Sequence, residues 1–133
     1  AMQDAMKEAA YSEKDVVYIN AHGTGTPMND KVETLAIKKA LGEEAAKKAY
    51  VSSTKSMTGH MLGAAGAIEA IVTALSVMND CVPPTAGFAE AAEDCPVAVV
   101  TEAVTDYPQK VALSTSLGFG GHNAALAFSP YKG

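Results

Sequence analysis

Only two cysteines, Cys81 and Cys95, occur in 133 residues, too few for the disulfide framework of a small secreted domain. No basic segment leading into an apolar run opens the chain, so no secretory leader is visible. Both thiols are therefore expected to stay reduced in a cytoplasmic setting. Basic charge is scarce and dispersed: Lys and Arg total 10 against 15 Asp and Glu, giving a net charge of −5 and a pI near 5.1. Nucleic acid binding needs clustered cations, so this balance argues against it. The basic pairs Lys38-Lys39 and Lys47-Lys48 read as solvated helix surface, although an exposed pair can also meet an acidic protein partner. Internal repeats and low-complexity stretches are missing. What remains is an ordinary globular balance, 48% apolar and 19% charged, in a length that suits one domain. A chain of this size buries about two thirds of its unfolded surface. The opening Ala1-Met2 reads as an expression scar or a cut site.

Hydrophobic patterning divides the chain. Ala1 to about Ala10 reads as the end of a helix. Asp15-Val16-Val17-Tyr18-Ile19 is a buried strand, rich in β-branched and aromatic residues. Gly, Thr and Pro make 21–30 a loop. Val32, Leu35, Ala36, Ile37 and Ala40 then recur at helical spacing until Gly42 stops them. Ala49–Ser52 is a second strand, and 53–58 a polar loop. From Gly59 to Met78 nearly every residue is apolar or small, the mark of a helix buried on all sides. Its length invites a membrane span, but Glu69 at its middle is too costly in lipid, so no span is expected. Pro83-Pro84 marks 80–96 as a surface connection, and Val97–Val100, Lys110–Ser114 and Ala124–Phe128 close as strands. Alternating strands and helices predict an α/β layered domain.

Three loops follow strands and concentrate reactive side chains, where ligands gather in α/β sheets. They are Asn20-Ala21-His22-Gly23-Thr24-Gly25-Thr26-Pro27, Ser52-Ser53-Thr54-Lys55-Ser56-Met57-Thr58-Gly59-His60, and Ser116-Leu117-Gly118-Phe119-Gly120-Gly121-His122-Asn123. Taken singly, each admits other readings. Gly23–Thr26 could cradle a phosphate but lacks the Lys-Ser/Thr ending of a P-loop. Ser52–Lys55 fits the S-x-x-K of β-lactamases, but neither S-D-N nor K-T-G occurs. The three histidines lack metal-ligand spacing, so no metal is expected. Glu69, set in a buried helix, must be paired or protonated. Lys55, at the loop feeding that helix, is the economical partner; escape to solvent along a helix edge is the alternative.

As a set, in this order and spacing, the three loops resemble the C-terminal half of the β-ketoacyl-acyl carrier protein synthases, condensing enzymes of fatty acid and polyketide synthesis. The resemblance runs from about Val16 to Phe128. It implies a thiolase-like half over 1–133, with a mixed five-stranded sheet, helices on both faces and one long buried apolar helix. It also implies that the nucleophilic Cys comes from an N-terminal half not present here. Cys81 and Cys95 do not lie on a tight strand-to-helix turn with activating neighbours.

By position, the resemblance implies His22, His60 and Lys55 as catalytic residues. Thr24 and Thr26 fall where the pantetheine arm is contacted, and Phe119 on the gate whose N–H joins an oxyanion hole. Glu69 falls on the partner of the lysine, and Asp30 and Glu33 on a structural acidic pair. The implied reaction is decarboxylation of a malonyl thioester and condensation of the carbanion with an acyl-enzyme, without a cofactor. The developing enolate oxygen needs preset hydrogen-bond donors, and neutral His22 and His60 can donate. A helix N-terminus near His60 is expected to disfavour its imidazolium form. The implied partners are acyl carrier protein, malonyl and acyl thioesters, the N-terminal half, and a second copy in a homodimer when complete. Leu117 stands where many members carry Phe and His122 where Thr is usual; both alter the wall beside the gate. Gly25 in place of Ser lies within family variation. A helix apolar all round, without that other half, is expected to expose a patch that drives association.

Overall fold

The computed structural model describes residues 1–12, 14–92 and 95–131. Helix α1 spans Met2–Glu8, and strand β1 is Tyr18–Asn20. Helix α2 covers Pro27–Leu41 and begins earlier than the periodicity suggested. Thr26 is extended ahead of it and Pro27 takes the first helical position, where a missing N–H costs nothing. Gly42 ends α2 at φ 85° and admits a short helix α3, Glu43–Lys48, that the sequence pattern did not separate. Strand β2 is Tyr50–Ser52. Helices α4 (Lys55–Thr58) and α5 (Ala65–Met78) precede the hairpin of β3 (Ala112–Gly118) and β4 (His122–Phe128).

The sheet has four strands in the order β2-β1-β3-β4, with β1 parallel to both β2 and β3 and β4 antiparallel to β3. The fifth strand expected at Val97–Val100 is reduced to a single parallel bridge, Val51 to Val99. Pro96 has no N–H to extend the ladder, and the Val100 carbonyl accepts from Thr85 N–H at 2.8 Å instead. The α/β class and the helices on both faces hold, with four strands in place of five. Because β1, β2 and β3 run parallel, their carboxyl ends share one edge, and all three reactive loops leave from it.

The alternation of β1 divides the core. Val17, Ile19 and Ala21 pack with Met6 of α1, Ile37 and Leu41 of α2 and Leu113. Tyr18 turns to the other face, with Val77 of α5, Val82 and Ala112. Fully burying a side chain such as Ile37 or Leu113 contributes about 1.5–3 kcal/mol, and both are 0% exposed.

The apolar run at 59–78 departs from expectation twice. It is not one helix: Gly59 at φ 72° stops α4, Leu62 sits at φ 50°, and a 3-10 turn at Leu62–Ala64 precedes α5. It is also not buried on all sides. Glu69, Thr73 and Ser76, spaced as one helical stripe, face inward, while Ile71, Leu75 and Met78 are 55%, 49% and 78% exposed. Leu126 of β4, opposite Ser114 on the α5 side of the sheet, is also 51% exposed. The polar stripe holds the site, and the apolar stripe is the exposed patch that the sequence led us to expect. Among the described residues no helix is long and apolar enough to cross a membrane.

Candidate active site

His22 follows β1 directly, and its loop is held by a buried carboxylate. Glu33, one turn and a half into α2 and 3% exposed, accepts His22 N–H on Oε1 and Gly23 N–H on Oε2, both at 2.8 Å. Thr115 of β3 donates its hydroxyl to Glu33 Oε1 at 2.8 Å, and Asn29 Nδ2 donates to Oε2 at 3.2 Å. Four donors make this buried charge tolerable. The Asp30 carboxylate accepts from Asn29 Nδ2 at 3.0 Å. Glu33 thus works through hydrogen bonds to the histidine loop. Gly23 (φ 37°) lies so close to the second loop that a Cβ there would stand 2.5 Å from Ser53 Cβ. Ser53 Oγ donates to Gly23 C=O at 2.8 Å, joining the two loops.

Lys55 and Glu69 are both buried and form the expected ion pair. The same ammonium reaches His22 Nδ1 at 3.2 Å. An ammonium can only donate, so Nδ1 accepts and the neutral ring carries its proton on Nε2. Burial first, then the Lys55 charge, holds the His22 pKa below its ordinary value, while the charge of Glu33 opposes. His22 is therefore a neutral Nε2–H donor at neutral pH.

His60 meets His22 edge to face, with ring centroids 5.5 Å apart. It does not sit at the start of the long helix as the sequence suggested; it lies in the irregular segment before the 3-10 turn. Its orientation comes from Leu62 N–H, which donates to His60 Nδ1 at 3.1 Å. The neutral ring again presents Nε2–H. Two imidazoles, each with Nδ1 occupied from within the chain, thus adjoin one another.

Thr24 and Thr26 share a hydroxyl hydrogen bond of 3.0 Å at the rim. Phe119 is fully exposed at the hairpin turn, followed by Gly120 and Gly121 at φ 78° and 82°. A cleft of about 920 Å³ passes Thr24, Ser53, Lys55 and His60 and continues between α2 and residues 85–92. Cys95 borders its outer end and donates its thiol to Val97 C=O at 3.5 Å; Cys81 lies beyond α5. Among the described residues no group of three His, Cys, Asp or Glu could hold a metal. Asn20, Ser53, Thr54 and Thr115 were not singled out from sequence. The only signal for Asn20 was its position as the polar end of an apolar strand.

The family model for the beta-ketoacyl synthase C-terminal domain matches residues 1–89. The chain is 51% identical over 132 residues to 3-oxoacyl-[acyl-carrier-protein] synthase 2 of Staphylococcus aureus strain COL, covering 99% of this chain and 32% of that protein. It is 46% identical to the enzyme of the same name from Vibrio harveyi, covering 96% of this chain and 31% of that protein. Among solved structures, the ishigamide ketosynthase/chain length factor superposes with a TM-score of 0.89 at 34% identity, covering 98% of this chain and 32% of that one. A type II polyketide ketosynthase solved with its acyl carrier protein superposes with a TM-score of 0.89 at 37% identity, covering 99% and 33%. The chain thus spans about a third of the length of the relatives it matches. Its family match, identity and fold agree with the loops read from the sequence: the chain belongs to the β-ketoacyl synthases, as part of their C-terminal, thiolase-like half.

Proposed function

We propose that this chain supplies the decarboxylating half of a 3-oxoacyl-acyl carrier protein synthase of fatty acid synthesis. The observation that carries this reading is Lys55, held by Glu69 and touching His22 Nδ1, which leaves Nε2–H donors on His22 and on its neighbour His60. A malonyl thioester loses its carboxyl group as carbon dioxide, and the electron pair passes into the thioester as an enolate. The two Nε2–H groups stabilise that oxygen where charge develops. Lys55 adds fixed positive charge. The enolate carbon then attacks the carbonyl of an acyl group held as a thioester on a cysteine of the remaining chain, forming a carbon–carbon bond while the carbon–sulfur bond breaks and the cysteine leaves as thiolate. The Phe119 N–H completes the oxyanion hole for that step, and its side chain gates the acyl pocket. Thr24 and Thr26 line the path of the pantetheine arm of acyl carrier protein.

The exposed face of α5 and Leu126 belongs against the segment that carries the nucleophile, and the complete protein is a cytoplasmic homodimer. The alternative of a polyketide ketosynthase is favoured less, because the curated relatives at 46–52% identity carry the name 3-oxoacyl-[acyl-carrier-protein] synthase 2. A scaffold without chemistry does not account for the retained Lys55, His22 and His60.

The test is a hybrid in which this chain replaces the matching 32% of the Staphylococcus aureus synthase. The hybrid is expected to form 3-oxoacyl product from acyl and malonyl thioesters, and this chain alone is not. A folded hybrid without product overturns the proposal.

A further inference from the structure

The machinery proposed above is assembled from three chain segments, and one buried side chain ties two of its charged members together. Asn20 ends β1 and is 0% exposed. Its Oδ1 accepts from Thr54 N–H at 3.3 Å and from the Thr54 hydroxyl at 3.2 Å. Its Nδ2 donates to Glu69 C=O at 3.4 Å and reaches Thr73 Oγ1 at 3.4 Å. The amide cannot be turned around: a backbone N–H only donates and a backbone carbonyl only accepts. Thr54 immediately precedes Lys55, and Glu69 is the lysine's partner. Asn20 therefore holds the root of Lys55 and the root of Glu69 at once, from the strand that leads two residues later into His22.

We propose that Asn20 is a positioning residue, which fixes the Lys55–Glu69 pair in register with the His22 ring. It touches no reacting atom. An aspartate at this position keeps the acceptor side but sets an oxygen against the Glu69 carbonyl; alanine leaves Thr54 N–H buried without its acceptor. Either change lets Lys55 move off His22 Nδ1, and misplacement by about 1 Å costs on the order of 100-fold in rate.

The effect on rate rests on the proposed decarboxylation chemistry, whereas the geometric claim does not, so the experiment has two arms on the hybrid synthase described above. Carbon dioxide release from malonyl-acyl carrier protein should fall about 10- to 100-fold in Asn20→Asp and Asn20→Ala, with KM held within about twofold. Ring ¹⁵N spectra should show His22 as a single Nε2–H tautomer in the unmodified hybrid and as a mixture in both variants. Unchanged rates together with an unchanged His22 ring in folded variants overturn the proposal. If the unmodified hybrid releases no carbon dioxide, the functional reading fails and the ring spectra alone decide this one. Should neither variant fold, hydrogen exchange of the unmodified hybrid decides: Thr54 N–H and the Asn20 amide protected with the core support the proposal, and free exchange at both overturns it.

Discussion

On the floor of the site, His22, Lys55 and Glu33 each have their hydrogen-bond partners within this chain. At its mouth, His60, Thr26 and Phe119 stand in solvent and Thr24 is only half-buried. The floor is built where three parallel strands end, so loops distant in sequence meet over a rigid edge. The mouth is built from the outer end of a glycine-rich turn, a hairpin tip and the exposed face of α5. One chain thus shows a preset electrostatic centre beside an open surface. Charge placement is settled locally, whereas on the proposed reading acyl binding and gating call for more protein.

Breaking the floor should have the largest effect. Glu69→Ala leaves the Lys55 ammonium buried without its counterion, and losing one partner of a buried pair costs about 3–5 kcal/mol. Urea unfolding of the chain measures this; a loss below about 1 kcal/mol would mean the pair does not organise the floor. Glu33→Gln comes next. The amide keeps one acceptor oxygen for two N–H groups, His22 and Gly23, so a loss of about 1–3 kcal/mol is expected in the same measurement.

The third effect is a pH dependence. His22 has a folded-state pKa below its ordinary value because of burial and then Lys55, so the unfolded chain binds this proton first. Its contribution to stability is complete above about pH 6.5 and is lost as pH falls toward the lowered folded value. His22→Gln should flatten the slope of unfolding free energy in that acid window. A slope that persists would place its origin in another group.

The smallest effect belongs to the mouth. Phe119→Ala should change stability by no more than about 0.5 kcal/mol, while altering acyl transfer in the hybrid. A large loss of stability would blur the contrast between the two regions.

The loops that form both regions were legible in the sequence, because Gly, Thr, His and Lys stand in loops after apolar strands in a distinctive order. The Lys55–Glu69 pair was the economical answer to a buried carboxylate, with escape along a helix edge as the alternative, and the structure has the pair. Three things were not legible. The break in the 59–78 run depends on left-handed backbone at Gly59 and Leu62, which hydrophobicity does not report. The inward turn of the polar stripe of α5 is decided by Asn20, Lys55 and Gln109, which bond to Glu69, Thr73 and Ser76 across distant segments. The fifth strand failed because Pro96 and the Thr85–Val100 hydrogen bond compete with the ladder. In each case a partner remote in sequence, or a single backbone angle, prevailed over the local pattern.

The central claim is that the floor of this site carries out decarboxylation, as proposed above. Carbon dioxide release from malonyl-acyl carrier protein by the hybrid synthase tests it most directly, compared with the same hybrid carrying His22→Ala. Removing one preset donor to a developing oxyanion costs about 100- to 1,000-fold, and a loss of that size is the expected result. Equal release by the two hybrids, both folded, would contradict it.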